Sequence, residues 1–389
     1  MTLVREQLNG CQLAAVQAIK AWFDERPDDV REDDIVWHPQ SKELSLGGLA
    51  GTGKTSLVAF LMQDSEFLGL FAGVLTPTGK AAEVLRSKGI PADTIHSALY
   101  RCTGEEEEND RGELSPVFET KTPIFRRGDF VIIDEASMVN AELARDIRNA
   151  GWNVLWVGDH GQLPPVGEDP GIMTEPDLLL DEIMRQAAEN PLIACAYHLR
   201  QGGTPQNWGP TYSEVVVRAR TYPSHYAKAA YDGRYDQIIC GFNRDRHAIN
   251  IQSRALRGFT DPLCVGDLVI CLRNSRKKGI WNGQIFEVLE LSEGSVTNCV
   301  SAVLRSEDPD AGAIYVDIDV PSLGGAPAGY GRAKKAHLFD YAYAITCHKA
   351  QGSEWGKVLV VDSPCQSWDN DRWRYTAVTR ARDQVTIFA

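Results

Sequence analysis

Three observations predict an α/β protein with two parallel-sheet domains. Short apolar runs alternate with helix-periodic stretches along most of the chain, and each run ends at a polar or glycine-rich loop. The 389 residues would also fill two or three domains of about 150 residues.

The first helix is marked by Leu8, Leu13, Val16, Ile19 and Trp22, spaced mostly by three and so sharing one face. Strands are predicted at Leu44–Gly47, Phe71–Thr76, Phe130–Asp134 and Val154–Gly158, and their polar ends point at one crevice, where open parallel sheets bind ligands. A second set at Gln237–Gly241, Lys357–Asp362 and Gln384–Phe388, with helices around Pro191–Leu199, Arg244–Leu256 and Asn370–Arg380, predicts the second domain. Two segments break the rhythm. Residues 99–128 are polar and turn-rich, and their acidic run Glu105–Glu108 reads as a solvated loop within an insertion. Within 263–336, apolar alternation at Val269, Cys271, Ile285, Phe286 and Val288 surrounds the turn dipeptide Asn282-Gly283, which predicts a small antiparallel β insertion. The boundaries follow: 1–172 for the first domain, 173–262 with 337–389 for the second, and 263–336 for the β insertion.

Composition narrows the class. Apolar residues at 43% and charged residues at 24% are globular values, which exclude a disordered or fibrous chain. No run of about 18 apolar residues occurs and Met1–Glu6 lacks the apolar stretch of a signal peptide, so the expected location is the cytoplasm of a bacterial or phage-infected cell, with no membrane partner. Nine cysteines without a CxxC pair argue against structural zinc and a disulfide framework. A net charge of −13 removes bulk attraction to polyanions. Any nucleic-acid site must then be a local groove.

The most specific signal is Gly48-Leu49-Ala50-Gly51-Thr52-Gly53-Lys54-Thr55, a complete GxxxxGK[ST] after a strand and before the helical run Ser56–Met62. Backbone N–H groups of Gly51, Thr52 and Gly53, with the helix N-terminus at Ser56, suit phosphate; Lys54 would reach the β and γ phosphates and the Thr55 hydroxyl a magnesium ion. The buried run Phe130–Ile133 then ends in Asp134, a metal carboxylate, and Glu135, which would position or deprotonate the attacking water. Gly158-Asp159-His160-Gly161-Gln162 offers Gln162 to the γ-phosphate or the water. ATP and Mg2+ are the cofactors expected.

With these motifs the chain resembles the superfamily 1 helicases, in the branch that contains RecD and Dda. Leu8–Gln12 is similar to the family's adenine-reading motif, with Gln12 as the amide. Leu75–Ala82 and Thr94–Ser97 resemble its first strand-contacting motifs, Asp134–Ser137 and Gly158–Pro165 its motifs II and III, and Ile183–Gln186 its motif IV. Thr346–Trp355 and Tyr375–Arg382 resemble motifs V and VI. Met184 stands where relatives often carry an aromatic, and Trp355 where Phe is usual. The resemblance implies two RecA-like P-loop domains, the first with a pin-like hairpin and the second with a small β-barrel. It implies Arg185 and Arg380 on the γ-phosphate across the seam between domains, and Glu354 among the nucleotide contacts. It also implies Thr78, Lys80, Thr94, His96, Asn243, His348 and Lys349 on single-stranded DNA. Leu114, Val117, Phe118, Ile124 and Phe125 would form the wedge of the pin, and Arg273, Arg276, Lys277 and Lys278 a basic cluster on the barrel.

The expected activity is ATP-driven movement along single-stranded DNA, 5′ to 3′ by resemblance, with opening of single/double-strand junctions. A motor subunit of a recombination or exonuclease complex, an ATP-gated translocase without unwinding, an RNA motor and a small-molecule P-loop kinase stay open as alternatives. The kinase would need neither Arg185 nor motifs V and VI. Replication or recombination proteins are the partners to expect.

Overall fold

A computed structural model describes residues 5–25, 31–32, 35–36, 41–108, 114–182, 190–209, 214–275, 278–294, 298–306, 312–324 and 336–389, with the side chains of 31–36 and 102–118 left aside. Two units divide the chain: 1–77, 81–101 and 120–193 form one, and 78–80, 102–119 and 194–389 the other.

The first unit is built on a six-stranded, all-parallel sheet. Its strands are β1 (Glu43–Gly48), β2 (Phe71–Thr76), β3 (Ala92–Thr94), β6 (Phe130–Ile133), β7 (Asn153–Gly158) and β8 (Leu178–Leu180), in the order β8-β1-β7-β6-β2-β3. Between β3 and β6 in the chain, strands β4 (Tyr100–Glu108) and β5 (Leu114–Thr120) form a two-stranded sheet of their own, and residues 102–119 fall with the second unit rather than with the first, where the sequence places them. Both faces of the sheet are covered, which explains its continuous apolar runs. Ile132, Leu155, Val157 and Val74 pack with Val16 and Ile19 of α1 (Gly10–Asp24) and Leu57 and Leu61 of α2 (Lys54–Gln63). Alternate residues Val131, Ile133, Val154 and Trp156 pack on the other face with Leu143 and Ile147 of helix Ala141–Ala150 and with Trp152. Each large apolar side chain buried there stabilises the unit by about 1.5–3 kcal/mol. The helix starts are specified locally. Asn9 caps α1 through a capping box with Gln12, and Asn140 caps the Leu143 N–H at 2.9 Å.

Three sequence expectations need correction here. β8 lies past residue 172 yet pairs with β1 at Leu178↔Leu46, so the first unit runs on beyond that boundary. Asp177 clips the strand in place, accepting from the Ser45 N–H at 2.8 Å and its hydroxyl at 2.6 Å. A three-residue edge strand, with Leu179 52% exposed, carries too little pattern to be read in advance. The acidic run Glu105–Glu108 is the end of strand β4 rather than a loop. The insertion is also shorter than 99–128, because Phe125 returns to the core. Its ring lies 5.6 Å from Trp152, whose Nε1 donates to its carbonyl, and a Cβ on Gly73 would meet the ring at 2.6 Å.

The second unit carries a five-stranded parallel sheet in the order β9-β18-β17-β10-β16, with β9 Val215–Arg218, β10 Gln237–Cys240, β16 Ala344–Thr346, β17 Trp355–Val361 and β18 Ala381–Phe388. Ile238, Leu359, Val361 and Phe388 form its core with Tyr226 and Ile249. Between β10 and β16 lie β11 (Leu268–Cys271), β12 (Ile285–Glu293), β13 (Cys299–Ser306), β14 (Ile314–Asp319) and β15 (Phe339–Tyr341), antiparallel in the order β14-β13-β12-β11-β15 around Phe286, Val288, Leu304 and Phe339. The two edges of this sheet meet where His337 bridges to Ile318.

A polar rivet joins this sheet to helix Asn243–Leu256. Asp267, fully buried, takes Arg254 Nε at 2.9 Å and Nη2 at 3.1 Å, the Cys264 N–H at 2.8 Å and the Tyr343 hydroxyl at 2.8 Å. Arg254 lies over the Tyr341 ring and Arg257 over the Tyr343 ring, each at 4.5 Å. Asp267→Ala would leave the Arg254 charge buried without its anion, a class of loss costing about 3–5 kcal/mol. The expected result is a large fall in the denaturant midpoint of the second unit; an unchanged midpoint would show that the rivet holds nothing.

Candidate functional site

The loop 49–53 leaves β1 and enters α2 on two left-handed glycines, Gly51 at φ 81° and Gly53 at φ 84°, conformations that favour glycine. A Cβ on Gly48 would lie 2.5 Å from Thr52 Oγ1 and 3.1 Å from Leu180, so the strand end is packed too closely for any side chain. Lys54 Nζ donates to the carbonyls of Gly48 (2.6 Å) and Leu49 (3.0 Å) and lies 3.7 Å from Asp159 Oδ2. Thr52 is fully buried, its hydroxyl donating to the Leu49 carbonyl at 2.8 Å. Thr55 and Ser56 follow on the first turn of α2, where free N–H groups favour an anion.

Asp134 and Glu135 leave β6 beside β7, whose end carries Asp159 and Gln162. Burial raises the Asp134 pKa, against the lowering effects of the Glu135 N–H at 2.9 Å and of Lys54. A buried carboxylate in that condition suits a cation. Glu135 adopts φ 56°, one of two non-glycine residues at positive φ among those described, and strain of that kind gathers at functional sites. Gln162 is buried, its Nε2 donating to Asp159 Oδ2 at 3.3 Å while its Oε1 is buried without a hydrogen bond.

Asp159 is the residue that sequence reasoning missed. Only 1% exposed, it links Lys54 to Gln162 and accepts from the Gly161 N–H at 2.9 Å. Its signal was its place, between the strand end Gly158 and Gln162.

Gln12 has a structural part beside the one expected of it. Its Oε1 accepts from the Asn9 N–H at 3.1 Å, its Nε2 donates to the Thr52 carbonyl at 3.3 Å, and the residue is 0% exposed. The amide ties the start of α1 to the phosphate loop. The Thr94 hydroxyl caps the helix Ile95–Leu99 by accepting from the Ser97 N–H at 3.1 Å. His96 stands half-buried 5.4 Å from the Tyr100 ring, and burial lowers its pKa against the pull of Glu142. Thr78 and Lys80 follow the end of β2.

In the second unit Asn243 and His348 are exposed at the starts of helices Asn243–Leu256 and Cys347–Ala350, with Lys349 half-buried beside His348. Glu354 is exposed. Arg380 is 6% exposed, and its guanidinium donates to the carbonyls of Thr376 (3.1 Å) and Ser353 (3.3 Å) and to the Thr379 hydroxyl (3.1 Å). Among the described residues no carboxylate balances it. A buried cation held only by neutral acceptors is poised for an anion. Arg185, Met184, Arg276 and Lys277 lie outside the described residues.

Comparison with known proteins agrees with this geometry. The model of an AAA domain matches residues 40–218 and that of a UvrD-like helicase C-terminal domain residues 341–388. The chain is 30% identical to the ATP-dependent RecD2 DNA helicase of Deinococcus radiodurans over 90% of its own length and 47% of the relative's. It is 30% identical to the ATP-dependent DNA helicase Dda of Enterobacteria phage T4 over 44% of its length and 40% of that relative's. It thus spans about half of the first relative and less of the second. In fold it is similar to Pif1 helicase from Bacteroides, solved with ADP-AlF3 and single-stranded DNA, at a TM-score of 0.56 and 20% identity over the whole of this chain and 93% of that one. The chain therefore carries an AAA domain and a UvrD-like helicase C-terminal domain, and it is related in sequence to the RecD2 and Dda DNA helicases.

Proposed function

We propose that the chain is an ATP-dependent DNA helicase that moves 5′ to 3′ on single-stranded DNA and opens duplex at a junction. The observation that carries the reading is Arg380, a buried cation with no carboxylate partner among the described residues, in a second α/β unit that a small-molecule kinase would not need. The names of the relatives support the same activity, and the Pif1 structure supports a single-stranded track.

In this reading Lys54 and the N–H groups of Gly51 to Ser56 hold the triphosphate, Gln162 contacts the γ-phosphate, and Glu135 orients the attacking water and accepts its proton. Asp134 and Thr55 would hold a magnesium ion, which supplies charge neutralisation on the phosphates. Arg380, with Arg185, offsets charge on the transferred group, and Glu354 adds a nucleotide contact. Gln12 acts by fixing the phosphate loop through Thr52. Thr78, Lys80, Asn243, His348 and Lys349 hold the strand by phosphate contacts, which position without reading sequence. The hairpin of β4 and β5 serves as the pin, and the antiparallel sheet of β11 to β15 as the small barrel.

Two tailed duplexes test the activity and its direction. Wild type should displace a strand from the 5′-tailed duplex only, and Lys54→Ala should displace neither; opening only the 3′-tailed duplex reverses the polarity, and DNA-stimulated ATPase without displacement points to a translocase. Steady-state ATPase tests Arg380. Arg380→Ala is expected to lower kcat by roughly 10³-fold or more while nucleotide binding stays within a few-fold, as for an arginine that acts on developing charge. Equal losses in binding and turnover would place Arg380 in the frame of the unit instead.

A further inference from the structure

The second unit carries an aromatic pair that none of the roles above uses. Phe242 and Trp368 stack with ring centroids 4.6 Å apart and 30° between their planes. Both rings are half-buried, and they stand at the carboxyl edge of the parallel sheet, just past the ends of β10 and β17. That edge is where ligands of such sheets gather. The stack is built in. Gly241 makes room for it, since a Cβ there would meet Trp368 at 2.7 Å, and the Trp368 loop is fixed by Asn370, whose side chain accepts from the Cys365 N–H at 2.9 Å and donates to its carbonyl at 3.0 Å. Phe242 directly precedes Asn243, and the Arg244 guanidinium, its side chain 83% exposed, lies 5.9 Å from the Phe242 ring.

The surrounding charge makes this a place for bases rather than phosphates. Asp362 pairs with Arg374 at 2.9 Å, Asp369 with Arg372 at 3.4 Å, and Asp245 with Arg244 at 3.3 Å. The cations nearest to the rings in sequence therefore already face carboxylates. A chain of net charge −13 gains from a grip on a polyanion that needs no net positive charge, and π-stacking of bases on aromatic faces is such a grip.

Resting on the helicase reading, we propose that Trp368 and Phe242, flanked by Arg244, form a nucleobase-stacking site on the path of the single strand across the second domain. It takes any base by its π-face, and it adds affinity that salt does not screen.

Fluorescence anisotropy with a labelled oligothymidylate and an abasic oligonucleotide of equal length, at two salt concentrations, tests the site. Trp368→Ala should weaken oligothymidylate binding by roughly 5- to 150-fold, the range of one lost base stack, leave abasic binding unchanged and leave the salt slope unaltered. Trp368→Leu, which fills the apolar space without a π-face, should lose as much, and Trp368→Phe should keep most of the affinity. Losses equal on both oligonucleotides, full affinity in Trp368→Leu, or a wild type that binds both oligonucleotides equally would overturn the stacking site alone. A wild type that binds neither would overturn the helicase reading together with it.

Discussion

A parallel sheet covered on both faces has no side on which to place a charge. In the first unit Val131, Ile132 and Ile133, and Val154 through Val157, are all buried, alternating between two apolar layers. Carboxylates and amides can then appear only where the strands stop. Asp134, Glu135, Asp159 and Gln162 stand there, next to the loop that holds Lys54. The chemistry is concentrated because the core excludes it elsewhere.

That exclusion also explains what could be read from residues alone. Strands β1, β2, β6 and β7 were legible because each is a dense apolar run closed by a polar turn, and the phosphate loop because its glycines have a stereochemical reason to be there. Short edge strands were not. Ala92–Thr94 and Leu178–Leu180 carry three residues each, and their pairing is decided by neighbours distant in sequence. Gln12 and Thr94 also have local uses that the motifs do not announce. An amide or hydroxyl near a helix start has a local use as a cap, and motif position does not tell that use from ligand binding. Asp159 escaped notice because its partners, Lys54 and Gln162, come together only in the folded sheet.

Two buried charges of the second unit, Arg254 and Arg380, are handled in opposite ways. Arg254 is matched by Asp267 at short range and by the Tyr341 ring, so its environment is complete. Arg380 has carbonyls and a hydroxyl in place of a carboxylate. The first arrangement fastens one piece of chain to another; the second holds a positive group ready for a negative visitor. Burial alone would not separate the two, whereas the identity of the acceptors does.

The rivet around Asp267 has a consequence for how this architecture can be rearranged. It grips the antiparallel sheet near both places where the chain crosses into and out of it, at Cys264 to Asp267 and at Tyr341 to Tyr343. An insertion held only by flexible linkers can be lost or exchanged as a cassette. This one shares its polar contacts with the helix Asn243–Leu256, so removing it would strand Arg254 in an apolar setting. Helix and insertion are therefore coupled as a single structural part, and a graft from another scaffold would have to bring both.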